Sequence, residues 1–195
     1  FTKWDRNEMI NLKILLKAEG KCTTDHVSPA GPWLKYRGHL ENISQNMYSG
    51  ALNGFTNSNG EAINLLNGKI DNIYEVANSY KKSNINWIAV ADENYGEGSS
   101  REHAAMEPRF MGCMIILAKS FARIAQTNLK KQGIIPLIFK NKSDYDKIES
   151  NDTISTINLK DFDSKTNIKL NLNKPDGSSE VIETIHTFSE NQIGW

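Results

Sequence analysis

The sequence is poor in cysteine and has no net charge. Cys22 and Cys113 are the only cysteines in 195 residues, too few and too far apart for a disulfide framework or a CxxC metal motif. An iron-sulfur cluster usually draws on three or four thiolates, so this chain cannot hold one unaided. Lys plus Arg and Asp plus Glu each total 23, which leaves no net field to attract nucleic acid or an anionic membrane.

Long apolar runs are also missing. No stretch approaches the roughly 20 apolar residues of a membrane span, and no charged-then-apolar leader opens the chain. The first residue is Phe1 instead of Met, which suggests a processed or excised segment. With 38% hydrophobic residues the chain can bury a substantial core, and we expect a single domain over residues 1–195.

The middle of the chain alternates between strand and helix patterns. Short apolar runs at 87–91, 113–118 and 134–139 are typical of buried strands. Between them, residues 100–112 and 121–132 are predicted to be helices, each closed by a glycine. This β-α-β-α-β unit predicts a parallel sheet. Sites in such sheets lie beyond the carboxyl ends of the strands.

The flanking segments complete an α/β fold. A first strand is expected at 11–17 and an amphipathic helix at 71–82, and Pro136 indicates that its own strand is irregular or at an edge. After Tyr145 the pattern changes to short alternating strands, which predict an antiparallel layer packed on the parallel one. Those strands are expected at 153–159, 168–172 and 181–186.

The stretch that follows the 87–91 strand is the strongest candidate for a binding site. Gly96 and Gly98 allow a tight turn and a close approach to a ligand, and Ser99 to Glu102 fits a capping box at the start of a helix. Free amides at such a helix end attract anions, and Arg101 can grip a carboxylate with two hydrogen bonds. The predicted ligand is a small carboxylate or phosphate. On spacing alone, the same residues could form only a tight turn.

A second polar stretch, residues 21–33, is predicted to be a rigid polar loop because it carries hydroxyls, a carboxylate, an imidazole and two prolines. His26 beside Asp25 could suggest a catalytic dyad, but neighbouring residues rarely point at each other, so a structural histidine is favoured. On pattern alone, Arg37 fits an exposed ion pair as well as a ligand.

The residue strings themselves indicate a family, which their spacing alone does not. The chain closely resembles the carboxy-terminal swivel domain of mitochondrial-type aconitases from about Thr2 to Trp195. That resemblance implies a three-layer β/β/α domain closing over a [4Fe-4S] cluster, which is held by cysteines of preceding domains in the same polypeptide or a tight partner. The strings that carry it are 20–28, 31–40, 92–109, 119–124 and 128–133.

The resemblance also implies an activity and a set of roles. Aconitases interconvert citrate and isocitrate through cis-aconitate in the tricarboxylic acid cycle. By matching motifs, Ser99 resembles the catalytic base, and Arg101 is expected to stabilise its alkoxide. Substrate carboxylates are expected to be bound by Ser100, Arg101 and Arg37, with Asp25, Ser28 and Thr24 in a polar active-site loop. No metal ligand is expected in this chain, which should be inactive alone.

Several alternatives stay open at this point. The small subunit of isopropylmalate isomerase shares the Ser-Ser-Arg-Glu-His string, although the Arg37 string and the Asn-rich insertion argue against it, and homoaconitases would act on a different tricarboxylate. A non-enzymatic RNA-binding role, as in iron-regulatory relatives, is disfavoured by the neutral charge. The mitochondrial matrix is the expected location, with the cytosol as the alternative because Pro29 occurs in the cytosolic branch. Phe110 and Met106 are the other departures from the mitochondrial pattern.

Overall fold

The computed structural model describes residues 9–27, 47–98, 103–157, 159 and 167–188. Within them, the α-helices lie in the first two thirds of the chain, and the final third consists mainly of strands. The strands are β1 (Leu12–Lys17), β2 (Leu52–Asn53), β3 (Ser58–Asn59), β4 (Glu61–Ile63), β5 (Ile70–Asn72), β6 (Trp87–Ala91), β7 (Cys113–Ala118), β8 (Ile135–Phe139), β9 (Thr153–Ile157), β10 (Lys169–Asn173) and β11 (Ser179–Ile185); the helices are α1 (Thr24–Val27), α2 (Ile73–Lys82), α3 (His103–Met111), α4 (Arg123–Lys131) and a 3-10 turn at Lys142–Lys147.

Seven of the strands close into one barrel in the order β1-β6-β7-β8-β11-β10-β9. Its first half is parallel, since β6 lies between β1 and β7 and β8 continues the sheet beyond β7. All five residues of β6 are buried, as expected for a strand covered on both faces. The predicted β-α-β-α-β unit is therefore confirmed.

The second half of the barrel is antiparallel, as predicted. β10 pairs with both β9 and β11, and the turn between β10 and β11 contains Gly177 at a φ of +90°. The sequence did not predict that this layer is continuous with the parallel one. β11 pairs with β8 through Thr184 and Phe139, and β9 pairs with β1 through Ile154 and Leu12. The two layers are thus one closed sheet.

The expectation for Pro136 was half right. β8 is not at an edge, because it lies between β7 and β11. However, β11 meets β8 only at Ile138 and Phe139, while Pro136 pairs with Ile116 of β7. A missing N–H is tolerated where a strand has a partner on one side only.

Alternate residues along the strands lie in two separate hydrophobic cores. Ile88 and Val90 of β6 belong to the core shared with β9, β10 and β11, whereas Trp87 and Ala89 belong to the core shared with the helices. The period-two alternation of a strand produces this division. The helices therefore cover the parallel half of the barrel from outside, and a second core fills its interior.

The helices agree with the predicted stripes and differ at their ends. Asn72 caps α2 by accepting a hydrogen bond from the Glu75 amide at 2.8 Å, and α4 starts at Arg123 because Ala122 is extended. The described part of α3 begins at His103, so its predicted start near Ser100 lies outside the described residues. In the part of the chain that the structure describes, no helix is long and apolar enough to cross a membrane.

The predicted rigid loop at 21–33 needs a correction. Its first half contains the short helix α1, in which the Val27 amide donates to the Thr23 carbonyl at 3.1 Å. Thr23 also caps this turn, since its hydroxyl accepts from the His26 amide at 3.3 Å. The hydroxyl pattern that suggested a loop therefore serves as a helix cap.

Candidate functional site

The turn at 92–98 leaves the carboxyl end of β6, as the sequence predicted. Its backbone is left-handed at Asn94, Gly96 and Gly98, with φ values of 55°, 80° and 116°. A Cβ on Gly96 would stand 2.3 Å from the Cβ of Ala125 in α4. Gly96 is therefore required for close packing of the turn on α4, a reason that the sequence alone did not reveal.

The turn also contacts the segment that contains α1. The Gly96 amide donates to the Cys22 carbonyl at 2.7 Å, and the Thr24 amide donates to the Glu97 carbonyl at 3.0 Å. A Cβ on Gly98 would lie 3.1 Å from the Thr24 hydroxyl oxygen. One predicted site residue, Thr24, is thus brought against the turn that leads to Ser99.

A third segment, the connection between β7 and α4, fixes the other side of the turn. Ser120 accepts hydrogen bonds from the Asn94 amide on its hydroxyl oxygen at 2.8 Å and from the Tyr95 amide on its carbonyl at 3.0 Å. The same hydroxyl donates to Glu93 Oε2 at 2.7 Å. Sequence reasoning missed Ser120 as a site-building residue, although it lies in one of the strings that carry the family resemblance.

The charges near the start of the turn are paired. Asp92 Oδ1 lies 3.0 Å from Lys119 Nζ, and its carboxylate also accepts from the amides of Gly20 and Glu93 at 3.1 and 3.0 Å. Partial burial opposes ionisation, but these hydrogen bonds outweigh it and lower the pKa of Asp92 below its ordinary value. Asp92 is therefore a charged anchor that ties β1, β6 and β7 together at their carboxyl ends.

A mostly apolar cavity of about 210 Å³ opens between the turn, α3 and α4. Its lining includes Thr24 and Gly98 together with Ala104, Arg123 and Asn128. Thr24 is 4% exposed, so this residue lines the cavity from a buried position. The 92–98 turn, the segment that contains α1 and the connection that leads into α4 therefore meet at one cavity.

The structure describes only some of the residues that were predicted to bind the substrate. Thr24 lies in the described part, and Asp25 does so by its backbone in α1, with its side chain outside. His26 is held by its own loop, because its Nδ1 lies 3.0 Å from the Lys21 carbonyl. That contact agrees with a structural role for His26. The remaining predicted ligands lie outside the described residues: Ser28, Arg37, Ser99, Ser100 and Arg101.

The cysteines do not suit an iron-sulfur cluster. Cys22 and Cys113 are free and buried, and burial raises the pKa of Cys22 to about 12 and that of Cys113 higher still. Cluster ligands are thiolates, a form that these environments disfavour. Among the residues that the structure describes, no group of three or more His, Cys, Asp or Glu side chains could hold a metal ion.

Comparison with known proteins identifies relatives of this chain. The probable mitochondrial aconitate hydratase of Dictyostelium discoideum is 53% identical over the whole chain, which corresponds to 25% of that protein's length. The mitochondrial homocitrate dehydratase of Saccharomyces cerevisiae is 50% identical over 99% of the chain, again 25% of its own length. The chain therefore spans about a quarter of the length of these relatives.

The fold has a solved counterpart. A crystal structure of 3-isopropylmalate dehydratase from Methanocaldococcus jannaschii matches with a TM-score of 0.53 and 23% identity, over 88% of this chain and 80% of that one. At this identity the match supports the mixed α/β swivel fold alone. The family model for the aconitase C-terminal domain matches residues 12–142, a span that includes the 92–98 turn and α1. The chain belongs to the aconitase C-terminal domain family.

Proposed function

We propose that this chain is the part of an aconitate hydratase that binds substrate carboxylates and supplies the catalytic base. The reaction would be the interconversion of citrate and isocitrate through cis-aconitate. One observation carries the proposal: the turn at the carboxyl ends of the parallel strands continues in sequence directly into Ser99 to Arg101. It does so in a chain about half identical to mitochondrial aconitate hydratases.

In this proposal Ser99 removes the proton from the carbon beside a substrate carboxylate. A serine hydroxyl is a poor base in water, so its alkoxide needs a surrounding positive potential. Arg101 supplies a permanent charge, and the amino end of the helix that includes α3 supplies oriented amides. Negative charge grows on the substrate carboxylate during proton removal, and the same donors then stabilise the transition state.

The other proposed ligands orient the substrate. Arg37 and Ser100 are proposed to bind carboxylates, and Asp25 and Ser28 to join Thr24 in the polar wall beside the turn. The hydrogen bond from the Thr24 amide to Glu97 and the position of the Thr24 hydroxyl beside Gly98 support this grouping. Fixing a flexible tricarboxylate at several points reduces the entropic part of the barrier.

The remaining parts of the enzyme are proposed to lie outside this chain. The buried cysteines do not fit a [4Fe-4S] cluster, so we propose that cysteines in preceding domains hold it, in the same polypeptide or in a tight partner. The expected location is the mitochondrial matrix, by analogy with the relatives' names. The isolated chain should bind substrate weakly and show no turnover.

The test uses the full-length protein purified from its natural source or expressed whole. Ser99→Ala should reduce kcat for citrate by at least about a thousandfold, since the base is lost, while citrate binding by calorimetry should persist. Ser179→Ala, at an exposed position of β11, is the matched control and should behave as wild type. Turnover near the wild-type value in Ser99→Ala would remove Ser99 from the base role.

A second candidate substrate is homocitrate, because one relative at 50% identity is a homocitrate dehydratase. Homocitrate differs by one methylene, which a binding site discriminates by roughly 10- to 200-fold. Comparing kcat/KM for the two acids on the full-length protein separates the candidates. A preference for homocitrate would replace citrate as the substrate without changing the roles of the residues.

A further inference from the structure

Two buried tyrosines meet beneath the turn that leads to Ser99. The hydroxyl oxygens of Tyr48 and Tyr95 are 2.6 Å apart, and the residues are 0% and 2% exposed. Burial raises the pKa of both phenols well above their ordinary value, so both are neutral at physiological pH. Tyr48 comes from the Asn-rich stretch at 42–68, in which no residue was predicted to have a functional role.

Tyr48 has an unusual backbone. Its φ is +58°, a left-handed conformation that bulky side chains rarely adopt and that persists only where surrounding contacts enforce it. Three contacts do so here. Its amide donates to the Val27 carbonyl of α1 at 2.8 Å, its ring packs edge-on against Trp87 at 6.4 Å, and its hydroxyl meets Tyr95.

Tyr95 is also held by several contacts with neighbouring residues. Its carbonyl accepts from the Ala122 amide at 3.0 Å, in addition to the bond from its amide to Ser120, and its ring packs edge-on against Phe121 at 5.8 Å. Gly96 follows it directly, and Ser99 is four residues further along the chain. The position of the Tyr95 side chain therefore constrains the backbone that leads into Ser99.

The hydroxyl pair thus links the two halves of the proposed site. One half is α1 with Thr24 and Asp25, reached from Tyr48 through the Val27 carbonyl. The other is the turn that continues into Ser99, reached from Tyr95. Among the described residues, the hydrogen bonds that join these halves directly are between backbone groups of residues 22–24 and 96–97, and the tyrosine pair adds a side-chain link between them.

We propose that Tyr48 and Tyr95 are positioning residues that fix α1 relative to the serine-arginine segment through their hydroxyl pair. This inference rests on the proposed function, because positioning has meaning only for a site that both segments build. Small displacements of reacting groups are costly: a misplacement of about 1 Å can reduce a rate by roughly a hundredfold. A loosened pair should therefore slow the chemical step more than it weakens substrate binding.

The test compares Tyr48→Phe, Tyr95→Phe and the double variant in the full-length protein. Each single change leaves a buried hydroxyl without its tyrosine partner, whereas the double change removes both polar groups and should restore much of the stability. Both singles and the double should lower kcat for citrate by about tenfold, with KM within about twofold of wild type. Persistence of the kcat loss in the double variant separates positioning from instability.

Tyr80→Phe is the matched control. Tyr80 is also fully buried, and its hydroxyl accepts from the Leu65 amide at 3.0 Å, but it lies in α2 within the packing stripe. Its loss should lower the unfolding midpoint and leave kcat unchanged. The proposal is overturned if Tyr48→Phe changes kcat no more than Tyr80→Phe does, or if the double variant regains full turnover together with its stability.

A measurement that does not depend on enzyme activity tests this proposal separately from the proposed function. Amide hydrogen exchange should rise by at least about tenfold in Tyr48→Phe both in residues 24–27 and in residues 94–98, because the pair couples the two segments. If the wild-type protein dehydrates neither citrate nor homocitrate, the proposed function fails while this coupling can still be measured. Unchanged exchange in residues 94–98 would overturn the link itself.

Discussion

Replacing Gly96 by alanine should disrupt the turn more than any other single methyl group added there. Its φ of +80° is one that glycine adopts freely and alanine does not. The added Cβ would also stand 2.3 Å from the Cβ of Ala125, a separation that real Cβ atoms essentially never show. Either the turn or the first turn of α4 must move.

The magnitude follows from two contributions. A left-handed conformation costs a non-glycine residue about 1–2 kcal/mol. Overpacking a well-packed interior by one methyl group costs about 1–3 kcal/mol more. Gly96→Ala should therefore lower the free energy of unfolding by about 2–5 kcal/mol, a large fraction of the stability of a typical domain.

The measurement is urea unfolding of the 195-residue chain, followed by tryptophan fluorescence and by circular dichroism. Trp87 is fully buried in β6 and reports on the sheet that carries the turn. Coincident transitions would also test the prediction of a single domain over residues 1–195. Two separate transitions would contradict that prediction.

Two further variants separate the contributions. Gly68→Ala has a similar φ of +73°, and no atom of the described residues lies within 4 Å of the added Cβ, so it should show the conformational cost alone. Adding Ala125→Gly to Gly96→Ala removes the clash and should recover part of the loss, less about 1 kcal/mol for glycine within a helix. The reasoning is refuted if Gly96→Ala costs no more than Gly68→Ala.

Two other predictions concern titratable groups. Asp92→Asn should lower the free energy of unfolding by about 1–3 kcal/mol at neutral pH, because charge-assisted hydrogen bonds are lost. The folded-state pKa of Asp92 is below its ordinary value of 3.8, so this contribution is present above pH 3.8 and is lost as pH falls through the folded-state pKa; a difference from wild type that persists in strong acid would contradict it. Cys22 and Cys113, buried and with raised pKa values, should not react with a thiol reagent at pH 8 in the native chain, and both should react once urea unfolds it. Labelling of either thiol before unfolding would count against their burial.

The elements that the sequence predicted well are those with strong periodicity and clear ends. Strand β6 was predicted at its observed bounds because Trp87 to Ala91 is an unbroken apolar run followed by Asp92. Helix α2 was predicted within two residues, since its apolar stripe is a local signal, although its Asn72 cap was not recognised. Local sequence patterns were sufficient to predict these two elements because neighbouring residues determine where each begins and ends.

Barrel closure and the scaffold around the turn depend on distant partners and could not be predicted in this way. Nothing in the sequences of β9 or β1 specifies that Ile154 pairs with Leu12. Likewise, Tyr48 looks like one residue of a polar stretch until its hydroxyl is seen against Tyr95. The roles of Ser99 and Arg37 came from the family resemblance, whereas Arg101 was also indicated by the helix-start pattern, and all three roles stay predictions.

Closure of the barrel has a consequence for how the protein is made. The first strand, β1, completes its pairing only with β9, and the Asn11 amide donates to the Ser155 hydroxyl across 144 residues of sequence. At typical synthesis rates of 5–20 residues per second, β1 waits on the order of ten seconds for this partner to leave the ribosome. During that interval the β1 edge and the β8 edge of the parallel half are both unpaired, and an unpaired edge is a template for association with other chains. Nascent chains of this domain should therefore depend on chaperones until β9 to β11 have emerged.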